Sequence, residues 1–169
     1  MDAMVQRQPA RKPNRPRDPD APPKPARPRD ELGRPLSRTA ENKLDLEDFD
    51  SLSIEENHRL GIAHFNAGRF FPAHEAWETC WKQAKRTPDA EFFKGLSQLG
   101  AGYVHMLRGN PHGAYTLLRR AAGRIERYGE EHRGIHAATL AKIAFEQADL
   151  IEAARRDGRP MPHLVQPQI

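Results

Sequence analysis

Two nearby stretches of this 169-residue chain carry the side chains best suited to acid–base or ligand chemistry. In the first, a helix would place His74 and Glu78 one turn apart, with Glu75 beside them. In the second, Gln98 and His105 are seven residues apart, which puts them on one face of a helix. Imidazole, carboxylate and amide groups gathered in one place could bind a metal ion, hold a polar ligand or form a His–Glu acid–base pair.

The spacing of these residues excludes two known kinds of metal site. Residues 74–78 have the pattern His-Glu-x-x-Glu, whereas zinc peptidases need a second histidine where Glu78 stands. Di-iron bundles repeat Glu-x-x-His on two helices, and no such repeat occurs here. Glu78 also has an ordinary structural role available, because Lys82 follows it in the favourable order for a helical ion pair. Three interpretations stay open: a structural polar network, a ligand pocket, and a metal or catalytic site.

Helix start and stop signals divide the chain into five helices. Ser53 and Glu56 have the spacing of a capping box, and Gly68 marks the end of the helix that they begin. Pro72 fits the first position of a second helix. No segment alternates with the period of two that strands require. We therefore predict an all-α fold, a single compact bundle of about five mostly antiparallel helices with a disordered N-terminal arm. The predicted helices cover about 54–67, 72–85, 88–108, 111–128 and 135–156.

The third predicted helix is apolar over most of its circumference, which is typical of a central helix. Gly95, Gln98, Gly102 and His105 form a small and polar stripe on it, and Ser97 falls on the edge expected to face water. Buried polar groups need partners, and the glycines allow a second backbone to approach. We expect this stripe to face the second helix and to complete a polar pocket there. The pocket residues are His74, Glu75, Trp77, Glu78, Trp81, Gln98 and His105.

Positive charge is concentrated at the N-terminus. Residues 1–30 carry eight Lys or Arg against four Asp or Glu, which leaves 19 of the 27 basic and 19 of the 23 acidic side chains for the rest. The same residues contain eight of the fifteen prolines and few large apolar side chains. We predict a disordered basic Pro-rich arm over 1–38, a helical bundle domain over 50–158 and a frayed C-terminal tail over 159–169. Spaced apolar side chains predict that residues 31–52 lie against the domain: Leu32, Leu36, Leu44, Leu46 and Phe49.

Composition also indicates the cellular compartment of the protein. Cys80 is the single cysteine, so an internal disulfide is excluded and a reducing compartment is the default. No apolar run approaches the roughly 18 residues that span a bilayer, and the first residues lack the apolar core of a secretory signal. We expect a cytoplasmic protein without membrane contact. The sequence specifies no cofactor and no oligomeric state.

Three stretches carry a family resemblance. They are residues 65–81 (FNAGRFFPAHEAWETCW), 95–99 (GLSQL, with His105 following) and 108–114 (RGNPHGA). Together they resemble the bacterial and archaeal family known as domain of unknown function 309, and residues 27–35 are similar to the leader of its actinobacterial members. The resemblance implies a small all-α bundle and supplies no catalytic residue. The family signature falls on His74, Glu75, Trp77, Glu78, Gln98 and His105.

These observations support three functional hypotheses. The first is a non-catalytic module that binds a small molecule or a protein partner in the polar pocket. The alternative is a metal-dependent hydrolase with His74, Glu78 and His105 as ligands and Glu75 as base. The further alternative is an accessory protein that contacts nucleic acid through the basic arm, and we expect that contact to be weak and limited by salt.

Overall fold

The computed structural model describes residues 26–169, and within them the fold is an all-α bundle. The structure bears out the prediction of an all-α bundle of five helices. No β-strand occurs among the described residues, which contain only two isolated bridges, Arg29 with Pro35 and His132 with Ile135. Two short 3₁₀ segments, Phe49–Ser51 and Glu126–Tyr128, accompany the α-helices. The helices are α1 (Ile54–Asn66), α2 (Phe70–Gln83), α3 (Ala90–Leu107), α4 (Pro111–Ile125) and α5 (Ala137–Arg156).

Local sequence signals explain where α1 and α4 begin and where α1 ends. The Ser53 hydroxyl accepts a hydrogen bond from the backbone N–H of Glu56, whose carboxylate accepts one from Ser53 in return, so the predicted capping box is present. Asn110 caps α4 by accepting from the backbone N–H of Gly113 at 3.0 Å. Gly68 follows α1 with a φ of 73°, a left-handed conformation that favours glycine.

Three predicted helix starts were wrong by two residues each. Helix α3 begins at Ala90, with Asp89 as its N-cap, and not at Pro88. Helix α2 begins at Phe70, so Pro72 occupies its third position and not its first. Proline is tolerated there because the first four N–H groups of a helix have no intrahelical partner. Helix α5 begins at Ala137, because Ile135 is held in a bridge with His132 and is buried in the core.

Each helix packs against its neighbours in sequence, and the short connections between the first four make these neighbours antiparallel. An aromatic cluster joins α1, α2 and α3: Phe65 lies 5.8 Å from Trp77 and 5.2 Å from Tyr103 between ring centroids. Phe70 stacks on Tyr103 at 4.7 Å. All four side chains are buried, so this cluster fixes the positions of the helices that carry the candidate site.

The segments outside the helices also contact the bundle. Residues 1–25, most of the predicted arm, lie outside the described residues, and the limits of the three predicted segments stay predictions. Phe49 is buried, and the four leucines predicted to lie against the domain are half-buried. Residues 159–169 are not frayed, because Ile169 exchanges two hydrogen bonds with Asn66 and Leu164 packs on the core. No helix in residues 26–169 is long and apolar enough to cross a membrane.

Candidate functional site

Helix α2 brings three of the predicted site residues together on its surface. The Nε2 atom of His74 lies 3.4 Å from Glu78 Oε2 and 3.7 Å from Glu75 Oε1. One ligand atom from each of the three side chains lies within 4.8 Å of the others. The side chains of His74, Glu75 and Glu78 are 22%, 35% and 31% exposed, so solvent reaches all of them. We call these residues the His–Glu cluster.

Helix α3 holds the opposite edge of the His74 ring. The Nδ1 atom lies 3.0 Å from the backbone carbonyl oxygen of Ser97 and 2.9 Å from its hydroxyl oxygen. Gly100 permits this close approach, because a Cβ there would lie 3.0 Å from the backbone nitrogen of His74. Metal-ligating histidines are commonly oriented in this way, through a hydrogen bond from the ring nitrogen that does not bind the metal. Nε2 is therefore the free edge of the ring, and it faces the two acids.

Glu78 divides its two oxygens between different partners. Oε1 lies 3.0 Å from the ammonium of Lys82, which is the ion pair predicted from their spacing, and Oε2 faces His74. The hydrogen bond with Glu78 raises the pKa of Lys82 above its ordinary value. The two carboxylates of the His–Glu cluster and the neighbouring Lys82 ammonium together carry a net charge of about −1 when His74 is neutral. Its electrostatics favour a positively charged ligand.

Gln98 and His105 do not join the cluster. The Gln98 side-chain oxygen accepts a hydrogen bond from Arg124 Nε of α4 at 3.0 Å. The His105 Nδ1 atom accepts from the Asn110 side-chain amide at 2.9 Å, in the turn between α3 and α4. Burial lowers the pKa of His105, and the nearby Arg108 and His74 lower it further. Both residues are half-buried as expected, but their partners are not on α2.

The glycines on the same stripe of α3 show which helix the stripe contacts. A Cβ at Gly95 would lie 2.8 Å from Ile125, and a Cβ at Gly102 would lie 2.9 Å from Leu118. The stripe therefore packs against α4, and the prediction that it faces α2 was wrong. Helical periodicity groups residues by face but does not identify which neighbour each face contacts. The face of α3 that meets α2 contains Ser97 and Gly100.

The two tryptophans differ in their surroundings. Trp77 is completely buried in the aromatic cluster, where its indole N–H donates to His58 Nδ1 at 3.2 Å. Trp81 is half-buried, and the ammonium groups of Lys94 and Lys85 lie 4.8 and 5.6 Å from its ring centroid. Trp77 is thus a core residue, whereas Trp81 presents part of its ring to solvent one turn beyond Glu78.

His58 and Ser97 are two of the buried polar residues that the sequence interpretation missed. His58 is buried, accepts from Trp77 and donates from Nε2 to the backbone oxygen of Arg133 at 2.9 Å, so its hydrogen bonds fix a neutral ring. Ser97 is buried although it was expected to face water. The signal available for Ser97 was its place beside Gly100, since two small residues on one face indicate a close helix contact.

His58 predicts an acid-sensitive contribution to stability. Burial and the charge of Arg133 outweigh its hydrogen bond and lower its pKa below the unfolded value of about 6.5. Below about pH 6.5 the unfolded chain therefore binds a proton that the folded chain does not. As a result, the free energy of unfolding decreases as the pH is lowered. Urea unfolding at pH 7.5 and 5.5 should show this loss, at most about 1.4 kcal/mol per pH unit from one group. The loss should be smaller in His58→Phe, and equal losses would contradict the assignment.

Comparison with known proteins places the cluster within a family domain. Residues 58–117 match the model of a family described as Domain of unknown function (DUF309). No curated protein and no solved structure matches the chain. The match runs from α1 into α4, so it includes the His–Glu cluster together with Ser97. The resemblance to this family noted from the sequence is therefore confirmed for residues 58–117, and the similarity of residues 27–35 to an actinobacterial leader stays a prediction.

Proposed function

We propose the function of this protein from the chemistry of the site, because the family that residues 58–117 match is described only as a domain of unknown function. The proposed function is that of a non-catalytic binding module. Its His–Glu cluster takes a positively charged group, either a divalent metal ion or the ammonium group of a small molecule or partner protein. The observation that carries this proposal is the convergence of three acceptor groups within 4.8 Å on an accessible helix face.

Three features support a cation as the ligand. Carboxylate oxygens and imidazole nitrogen are the donor atoms that transition metals bind in proteins. The same atoms accept the hydrogen bonds that an ammonium group donates. The Ser97 contacts hold the His74 ring in place before any ligand arrives, so binding would cost little side-chain entropy at that residue.

Chemical-shift mapping tests this proposal. The ¹⁵N-labelled full-length protein is titrated separately with Zn²⁺ and with butylammonium, and each titration is repeated with His74→Ala. We expect at least one cation to shift amides around 74–78 and Ser97, and we expect those shifts to be lost in the variant. His136→Ala is the matched control, because His136 is exposed at the start of α5. Shifts that persist in His74→Ala, or no shifts with either cation, would contradict the proposal.

A metal-dependent hydrolase is the second candidate, and the convergence of the same three ligand atoms favours it. A metal held by His74, Glu75 and Glu78 would keep open positions toward solvent, as catalytic sites require. The ligand set predicted from the sequence included His105, but His105 forms a hydrogen bond with Asn110 instead. In the set proposed here, Glu75 is a ligand and not a base. One equivalent of metal retained through dialysis, and lost in His74→Ala, would favour this candidate over an ammonium-binding module.

The expected nucleic-acid contact stays a proposal about the basic arm. Residues 1–25 of this arm lie outside the described residues. Deletion of the arm and a rise in salt should both abolish such binding.

A further inference from the structure

Helix α2 ends in a partly exposed aromatic ring with positive charge beside it. Trp81 lies in the last turn of the helix and is half-buried. The ammonium group of Lys94, on α3, lies 4.8 Å from the centroid of its ring, and that of Lys85 lies 5.6 Å away. Arg86 is exposed in the turn that follows the helix. We call these four residues, Trp81, Lys85, Arg86 and Lys94, the Trp–Lys surface.

The positive charge of the Trp–Lys surface is not neutralised by neighbouring acids. Within residues 26–169, none of its three cations forms an ion pair. Residues 78–94 contain three acids, and each pairs with a cation outside the surface: Glu78 with Lys82, Asp89 with Arg133, and Glu91 with Arg124. Basic and acidic side chains balance over residues 31–169 as a whole, so the excess here is local. A local excess of unpaired positive charge favours an anionic partner.

An aromatic ring beside unpaired cations is the combination that binds single-stranded nucleic acid, because a base stacks on the ring while the phosphates pair with the cations. The two lysines do not block a base, since an ammonium group over an exposed ring is held more weakly than a stacked base. Once displaced, their ammonium groups pair with the phosphates. We propose that the Trp–Lys surface binds a single strand of nucleic acid, with one base stacked on Trp81 and the adjacent phosphates paired with its three cations.

Tryptophan fluorescence distinguishes this surface from the basic arm and from the His–Glu cluster. Both tryptophans of the chain lie on α2, and the arm contains none. Trp77 is completely buried. A base that stacks on Trp81 should therefore quench the fluorescence of that residue alone, whereas a strand held by the charge of the arm should quench neither tryptophan. Binding here requires no cation at the His–Glu cluster, so the two sites can be tested separately.

Fluorescence titration of the full-length protein with octauridylate, without added metal, tests the proposal. We expect quenching in the wild type and none in Trp81→Ala, in which Trp77 still emits and the fold is checked by far-UV circular dichroism. Uridine monophosphate and octaglutamate are titrated separately as comparison ligands. Each should need a concentration about tenfold higher or more for half-saturation, because the first offers a single phosphate and the second offers no base.

A charge variant that keeps Trp81 tests the phosphate contacts. In Lys85→Gln/Arg86→Gln the plot of log affinity against log salt should be less steep by about 1.4, because two phosphate contacts to a single strand are lost at about 0.7 each. Lys142→Gln/Arg156→Gln is the matched control: it removes one lysine and one arginine from exposed positions on α5 and should keep the wild-type slope. No quenching in the wild type, quenching that persists in Trp81→Ala, equal affinity for octauridylate and either comparison ligand, or equal slopes in the two double variants would overturn the proposal.

Discussion

Replacing Trp77 with alanine is expected to lower the free energy of unfolding by about 3–5 kcal/mol, the usual cost of truncating a buried tryptophan. Its indole is completely buried against Phe65, and its N–H is the donor for His58 Nδ1. The substitution therefore creates a cavity and leaves a buried nitrogen without a donor. Urea unfolding followed by far-UV circular dichroism measures the change. Because small domains have only about 5–15 kcal/mol of stability, this variant should be marginally folded.

Trp81→Ala is the matched control for this prediction. Trp81 lies four residues further along the same helix, but it is half-buried and covered by two lysine side chains. Its truncation should cost about 1–2 kcal/mol, since it removes less buried area and an exposed cation–π contact. Equal losses for Trp77→Ala and Trp81→Ala would contradict the assignment of Trp77 to the core.

Gly100→Leu is the second change with a large expected effect. A Cβ at Gly100 would lie 3.0 Å from the backbone nitrogen and 3.1 Å from the Cα of His74, and backbone atoms cannot turn aside as a flexible side chain does. Helices α2 and α3 must separate, which should lower the free energy of unfolding by about 2–3 kcal/mol. The same movement should separate His74 from Ser97, so cation binding should weaken as well.

Gly123→Leu separates this steric effect from the effect of adding a side chain to a helix. The nearest atom to a Cβ at Gly123 would be a Glu126 oxygen 4.0 Å away. Leucine is a better helix former than glycine by up to about 1 kcal/mol, so this variant should be neutral or more stable. A Gly100→Leu protein as stable as Gly123→Leu would show that the two helices do not meet closely at Gly100. Both variants are measured by urea unfolding.

The sequence predicted the number and order of helices because local signals control them. The Ser53–Glu56 capping box acts over three residues and is present as expected, and Asn110 caps the start of α4 in the same local way. The same signals placed α2 two residues late. A proline in the first turn costs no helical hydrogen bond at several positions, so Pro72 marks a helix start only approximately.

The sequence predicted only part of the candidate site, because it does not show which face of a helix meets which neighbouring helix. His74, Glu75 and Glu78 belong to one helix, so their spacing alone brings them together. To place Gln98 and His105, the sequence would have to show whether their face of α3 contacts α2 or α4. The periodicity of α3 carries no such information. The contact of His64 with Glu47 joins residues 17 apart through a segment without regular structure, which no spacing rule describes.

The central claim is that the His–Glu cluster binds a cation. Calorimetric titration of the dialysed protein with Zn²⁺ tests this claim most directly for a metal ion. The account predicts about one equivalent bound by the wild type, and binding weakened by more than about tenfold in Glu75→Gln/Glu78→Gln, because both charged ligands are lost. Glu146→Gln is the matched control: Glu146 pairs with Lys142 on α5 as Glu78 pairs with Lys82, and its loss should leave binding unchanged. Equal Zn²⁺ affinity in the wild type and the double variant would contradict the claim.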